Sequence, residues 1–274
     1  MKFTKDTLIS IIVPIYKQEK TIYKDLSSIY SAMEQTRWDF EIIGVVDGFL
    51  DKSFEQAQKL QFPNLKVIGY EENKGKGYAV RYGMAHSKGE LIAFIDSGMD
   101  INPNGISLIL EHMEWYDADI MVGSKRHSAS KVKYPFIRKV FSFLYQTLIR
   151  ILFNLKIRDT QVGLKVFKRK VLEKVLPRLL VKKFAFDIEM LAVSNYLGFN
   201  KIYDAPVEIS LDFNSQSSFA PAKLIFNKNI WGMVWDTVAV FYRLRILKYY
   251  DDSSKRLWIY DKDLEMRINT GELK

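Results

Sequence analysis

The sequence predicts an α/β protein built on a mostly parallel, doubly wound sheet. Short β-branched runs recur along the first half of the chain, segments with helical period lie between them, and acidic residues follow two of the runs. Strands separated by crossover helices make parallel sheets, and such sheets bind ligands at the carboxyl ends of their strands.

Leu8–Ile15 (LISIIVPI) reads as the first buried strand, and Ile22, Leu26, Ile29 and Met33 then fall on one helical face. Phe40–Val46, Leu65–Gly69, Leu91–Asp96 and Asp119–Gly123 are further strands, with helices at Gly77–Ser87 and Pro103–Trp115. Beyond Gly123 the pattern changes. Ser124–Tyr134 is a basic loop, Phe136–Leu155 an amphipathic helix, Asp159–Phe167 extended, and Lys168–Leu180 and Phe186–Leu197 helical. Lys201–Leu211 returns to strand, Asp212–Pro221 is a polar loop, Ala222–Lys248 an aromatic-rich helical region, and the end from Tyr249 is charged. These patterns divide the chain into a large domain over 1–211, with the amphipathic helix at 136–157 inside it, and a helical, basic appendage over 212–274.

Composition narrows the chemistry. With 274 residues and 48% hydrophobic side chains the chain has material for a proper core, and the absence of cysteine excludes disulfides, thiolate zinc sites and cysteine nucleophiles. It also suits a reducing compartment. Three histidines, His86, His112 and His127, leave little for an imidazole metal site. The formal charge of +9 suits nucleic acid, anionic lipid or phosphorylated substrates. Met1–Asp6 is polar, unlike a secretory leader. The apolar stretches Phe136–Leu155 and Ile230–Tyr242 are interrupted by Arg138, Lys139 and Arg150 and by Asp236, so no membrane span is expected.

Asp47 and Asp96 close two strand runs, which puts both on the ligand rim. A carboxylate there can accept from a base or ribose, or hold a divalent ion against a diphosphate; each can equally be a turn or cap residue. Asn73-Lys74-Gly75-Lys76-Gly77 precedes a helix, so its amides and lysines can approach an anion, although plain turn chemistry explains its glycines as well.

Taken in order, these segments resemble glycosyltransferase family 2, and within it the dolichyl- or polyprenyl-phosphate sugar synthases. Ser10–Tyr16 is similar to the family's opening strand, Glu41–Asp47 with Gly48 and Asp51 to its base-binding segment, and Asn73–Gly83 to its Asn-x-Gly-Lys-Gly helix start. Phe94-Ile95-Asp96 is placed like the strand that ends in Asp-x-Asp, and Gly123–Arg126 resembles Gly-Ser-Arg. Asp159–Lys165 and Phe186–Glu189 resemble the Asp-Thr-Gln-x-Gly and Phe-x-x-Glu segments of the polyprenyl branch. The resemblance runs from about residue 8 to 211. Val46 and Phe49 depart from Asp-Asp-Gly-Ser, Gly98 stands where Asp-x-Asp has its second acid, and Lys17 and Gln18 replace the usual Asn and Glu.

The resemblance implies a GT-A-type fold and inverting transfer of a hexose from a UDP- or GDP-sugar to polyprenyl phosphate. It implies Asp96 as principal ligand of a Mg or Mn ion with Asp100 as helper. Asp47 would contact base or ribose in a pocket lined by Pro14, Tyr16 and Glu19, with Lys76 on the donor. Arg126 and Arg138 would grip phosphate. Asp159, Gln161 and Glu189 would be the catalytic acceptor-side groups, Glu189 serving equally well as a core-edge residue. Leu144, Leu148, Ile151 and Leu155 continue a stripe from Phe141, and Trp231, Trp235, Phe241 and Tyr242 sit among basic residues. Such helices suit an anionic membrane surface, and so a peripheral protein on the cytoplasmic face; core cover, a homo-oligomer contact or a membrane-protein partner are the alternatives. Extension of a cell-surface glycan, or a degenerate non-catalytic binder, remain open. No nucleic-acid recognition motif is present, so nucleic acid is not an expected partner.

Overall fold

The structure is a computed structural model that describes residues 3, 4, 7–127, 130, 136–183, 185–208, 228–252 and 256–273. Each of the five expected strand runs is a strand: β1 (Ile9–Ile15), β2 (Phe40–Asp47), β3 (Leu65–Tyr70), β4 (Leu91–Ile95) and β5 (Ile120–Ser124). With β6 (Leu164–Lys168) and β7 (Ile202–Pro206) they form one seven-stranded sheet in the order β3-β2-β1-β4-β6-β5-β7. β1 pairs in parallel with β2 and β4, β2 with β3, and β5 with β7. β6 is antiparallel to β4 and to β5. The chain winds from β1 outward to β2 and β3 on one side and to β4 on the other, which makes the β1/β4 boundary the switch point of the sheet.

Side-chain alternation sends Ile12, Ile43, Val45 and Phe94 to one face and Ile11, Val13, Ile42 and Ala93 to the other. The first face is covered by α3 (Lys76–Ala85), α5 (Phe136–Phe153), α6 (Arg169–Val175), α7 (Phe186–Tyr196) and α8 (Lys228–Arg245). The second is covered by α1 (Ile22–Glu34), α2 (Ser53–Gln58) and α4 (Gly105–Trp115). Both faces are dry, which is why the strands read as continuous apolar runs.

Several expectations are corrected. The Lys168–Leu180 helix stops at Val175 and continues as a single 3-10 turn, Leu176–Arg178, because Pro177 cannot donate to the helical ladder. The extended Asp159–Phe167 segment becomes strand only from Leu164. The charged end from Tyr249 holds the buried pair Tyr249 and Tyr250, followed by an antiparallel hairpin, β8 (Arg256–Asp261) and β9 (Met266–Leu273). α5 ends at Phe153, short of the expected Leu155; Leu144 and Ile151 on it face out, while Leu155, beyond its end, is buried in the same cluster as Ile149 and Phe153. The expected loop 212–221 and the side chains of Phe141, Trp231 and Arg138 lie outside the described residues. Among those described, no helix is long and apolar enough to cross a membrane.

Candidate active site at the switch point of the sheet

The crevice at the carboxyl ends of β1 and β4 is built from three loops. Pro14, near the end of β1, accepts the Ser97 hydroxyl on its carbonyl at 2.6 Å. Tyr16 follows, half exposed, with the Lys17 ammonium 5.5 Å from its ring. The backbone N–H of Glu19 donates to Asp51 at 3.2 Å, and the Glu19 carboxylate accepts the Lys52 N–H at 3.3 Å, so the loop after β1 is laced to the loop after β2.

Asp96 stands on the rim just past β4, its side chain 38% exposed. Its backbone N–H donates to the Gly163 carbonyl at 2.8 Å, and a side chain at 163 is impossible without a shift: a Cβ there would lie 2.1 Å from Asp96 Oδ2. The Lys76 ammonium lies 2.9 Å from Oδ2 and 2.7 Å from Oδ1. The ammonium thus spans both oxygens of the carboxylate. The segment around Lys76 explains the glycines on either side of it. Gly75 has φ +96°, and a Cβ at 75 would sit 2.6 Å from the Lys182 carbonyl oxygen; one at 77 would sit 2.5 Å from Phe186 Cβ. The start of α3 therefore packs flush on Lys182 and Phe186, and Lys76 reaches across Phe94, 5.7 Å from its ring, to Asp96.

Beneath the rim lies a second, hidden ion pair. Lys165, fully buried on β6, donates to Asp187 at 2.7 Å and to the Val162 carbonyl at 2.6 Å, with its ammonium 5.0 Å from the centre of the Phe94 ring. Burial lowers the Lys165 pKa and Lys76 lowers it further, against the pull of Asp187. For Lys76 burial works the same way, but Asp96 and Asp187 outweigh it and the pKa is raised. Sequence reasoning missed Lys165 and Asp187 as site residues. The available signal was a lysine at the centre of the apolar run Leu164-Lys165-Val166-Phe167.

The other predicted residues divide. Asp47 is turned inward, against the expectation of a ligand contact. It is 3% exposed, and its carboxylate accepts from Tyr70 Oη (3.0 Å), Asn73 Nδ2 (3.1 Å), Lys74 N (2.8 Å) and Gly75 N (3.0 Å). Gly77 N and Tyr78 N donate to the Lys182 carbonyl, so three of that segment's backbone amides, those of Lys74, Gly75 and Gly77, are taken within the protein. The Lys74 side chain points to the C-terminal hairpin, 3.2 Å from Asp263. Lys76 is left as that segment's charge on the rim.

Asp100 is exposed in the turn after Asp96, and the described residues contain no group of three or more carboxylate or imidazole side chains that could hold a metal. Asp159 is largely shielded; burial raises its pKa, opposed by the Gln161 and Lys125 amides and the cations Lys125 and Lys165. Gln161 Nε2 donates to Met233 Sδ of α8 at 2.8 Å. The Asp159–Gly163 segment thus connects the Asp96 rim with α8. The Arg126 guanidinium lies 5.6 Å from the Phe143 ring of α5. Glu189 is corrected outright: it is fully buried away from the rim, accepting from Leu180 N (3.0 Å), Val181 N (2.8 Å) and Tyr250 Oη (2.7 Å). Those partners make it a brace between α7, the 180–181 segment and the C-terminal tail.

What a divalent ion would meet here is one carboxylate on the rim, Asp96, already paired with Lys76. One or two carboxylates with substrate phosphates are an ordinary Mg site.

The open, mostly parallel α/β sheet has the GT-A fold. Solved structures of glucosyl-3-phosphoglycerate synthase from Mycobacterium tuberculosis share it. The complex with UDP superimposes with a TM-score of 0.63 at 16% identity, covering 96% of this chain and 87% of that one. The complex with Mn2+, UDP-glucose and phosphoglyceric acid gives 0.63 at 16% identity over 96% and 86%. The chain belongs to glycosyl transferase family 2, whose sequence profile matches residues 10–176. It is similar to the dolichyl-phosphate beta-glucosyltransferases of Drosophila melanogaster (30% identity over 205 residues), Homo sapiens (29% over 204) and Saccharomyces cerevisiae (25% over 213). Each match covers 69% of this chain, and the chain spans 63% of the length of each of these three relatives.

Proposed function

We propose that the protein is an inverting glucosyltransferase that moves glucose from UDP-glucose to a polyprenyl phosphate at a membrane surface. The observation that carries this reading is the Asp96 carboxylate, on the rim with its Lys76 partner, at the switch point of a family 2 fold. Glucose and the lipid phosphate come from the names of the curated relatives, and the uridine nucleotide from the solved neighbours.

An oxygen of the lipid phosphate attacks the anomeric carbon, the bond from that carbon to the diphosphate breaks, and UDP leaves with the electron pair. A phosphate nucleophile is already anionic, so the site needs no strong general base. This agrees with a set of acceptor-side groups, Asp159, Gln161, Arg126 and Arg138, that bind and orient. Lys76 neutralises charge on the departing diphosphate; Asp96, with Asp100 as helper, would hold a Mg or Mn ion, which would supply further Lewis-acid stabilisation. Pro14, Tyr16 and Glu19 line the base pocket. Asp47 supports it from below by fixing residues 73–75.

Residues 1–211 carry this machinery, and α5 within them together with α8 from the 212–274 segment holds it to the membrane. Exposed Leu144 and Ile151 on α5, and Trp235 and Tyr242 on α8, give the two adjoining helices an apolar outer surface. Tyr145 and Thr237 join the helices by a 2.7 Å hydrogen bond. Interfacial helices of this composition suit an anionic bilayer, and we place the protein peripherally on its cytoplasmic face.

The test is incubation with radiolabelled UDP-glucose and polyprenyl phosphate in vesicles, followed by extraction into organic solvent. Label entering the organic phase, and lost with Asp96→Asn, is the expected result. Label transferred only to water-soluble product assigns a glycan or other soluble acceptor, and absence of UDP release with every acceptor overturns the enzyme reading.

A further inference from the structure

The rim and the layer beneath it carry four charges: Lys76 and Asp96 above, Lys165 and Asp187 below, arranged about Phe94. The cluster is neutral as it stands. Lys165 is fully buried and Lys76 only a quarter exposed, so the surroundings screen added charge poorly. A divalent cation placed on Asp96 alone would leave two uncompensated positive charges beside Lys76, whereas a diphosphate arriving with it restores the balance.

We infer that Lys76 is the resident counter-ion of Asp96: it keeps free divalent cation off the rim until the donor diphosphate supplies negative charge, and then transfers its own charge from Asp96 to that diphosphate. The inference rests on the reading of Asp96 as the donor rim and adds an order of events to it. Cation and donor bind as a unit, neither well without the other. The geometry supports this assignment in three ways. Lys76 spans both carboxylate oxygens, at 2.7 and 2.9 Å, as a cation would. The pair is partly shielded, the Lys76 side chain being 25% and the Asp96 side chain 38% exposed, so each charge faces the other more than it faces water. The second acid that would offset a cation permanently is missing, Gly98 occupying that place at φ +97°. With one carboxylate in place of two, the local charge depends on what Lys76 is paired with.

Reciprocal coupling of this kind is measurable, because whatever factor UDP adds to cation affinity the cation must add to UDP affinity. Mn2+ binding is read from loss of the free-ion electron paramagnetic resonance signal, for the protein alone and saturated with UDP, and UDP binding by calorimetry with and without Mn2+. In the native protein UDP should raise Mn2+ affinity by about tenfold or more, within the usual span of coupling energies. Lys76→Met should bind Mn2+ in the absence of UDP roughly fivefold or more tightly than native, with the UDP effect correspondingly reduced. Asp96→Asn should abolish Mn2+ binding in both states. Equal Mn2+ affinity of native protein with and without UDP overturns the inference, as does unchanged UDP-free affinity in Lys76→Met. Lys76→Gln provides the same comparison should the methionine variant fail to fold. If UDP does not bind at all, the donor reading fails, while the UDP-free comparison of native and Lys76 variants still decides the counter-ion role.

Discussion

Glu189 offers the sharpest test of whether a family-motif acid works by chemistry or by architecture. Its carboxylate accepts three hydrogen bonds in the interior and has the Arg243 guanidinium 3.8 Å away. Glu189→Ala would strand two backbone N–H groups and the Tyr250 hydroxyl. Hydrogen bonds to a charged acceptor contribute about 1.5–3 kcal/mol each, so the loss is on the order of 5 kcal/mol. At about 2–4 °C per kcal/mol for a chain of this size, Tm should fall by roughly 10–20 °C. Glu189→Gln keeps a carbonyl oxygen for the two N–H groups, and the Tyr250 hydroxyl can reverse to accept from the amide. It should cost less than about 1.5 kcal/mol and leave glucosyl transfer within a few-fold of native. The pH dependence adds a sign. Burial raises the Glu189 pKa above its ordinary 4.5. The folded state therefore holds the proton more tightly than the unfolded chain. The stability this contributes is full below pH 4.5 and is lost as pH rises through the elevated value, a loss Glu189→Gln should not show. Thermal melts across pH, with UDP release measured in parallel, make the comparison. A Gln variant with native melting and activity reduced a hundredfold would refute the architectural reading.

Three further outcomes are expected. Lys165→Met strips the partner from buried Asp187 and should destabilise the fold by about 3–5 kcal/mol, whereas Lys165→Met combined with Asp187→Leu should recover most of that loss; equal melting of single and double variants would deny the coupling. Gly163→Ala inserts a methyl 2.1 Å from Asp96 Oδ2, and it should lower transfer at least about tenfold while costing only about 1–3 kcal/mol in chemical denaturation. Ile151→Glu with Trp235→Glu places charge on outer positions that are 75% and 74% exposed. Flotation with anionic liposomes should be lost at a stability cost within about 0.5 kcal/mol per site, and undiminished flotation would remove these helices from the membrane contact.

The sheet was legible because both its faces are dry: strands buried on two sides announce themselves as apolar runs, and β1 to β5 fall where those runs fall. The C-terminal hairpin was not legible. Leu257–Tyr260 is an apolar run only four residues long between Arg256 and Asp261, Met266–Leu273 is mixed, and nothing local indicates that Tyr249 and Tyr250, which precede them, are core residues. The outward stripe was read correctly at Leu144 and Ile151 but not at Leu155, since a periodic stripe does not say where the helix ends, and Leu155 lies past the end of α5. Lys165 and Asp187 escaped notice as a pair because they are distant in sequence and meet only when β6 lies beneath α7.

Asp47 and Asp96 show where the limit of such reading falls. Each is an aspartate closing an apolar strand, on adjacent sides of β1, and local sequence gives no reason to treat them differently. What separates them is the chain that returns to each. Beside Asp47, parallel β3 leads directly into Asn73–Gly75, whose free amides require an acceptor, and the carboxylate turns in to meet them. Beside Asp96 runs antiparallel β6, which enters with Gly163 and so brings a carbonyl and no side chain. The backbone of Asp96 is fixed while its carboxylate is left on the rim, reached by one lysine. A single reversed strand and a single missing Cβ thus convert one of two equivalent aspartates from a brace into a site.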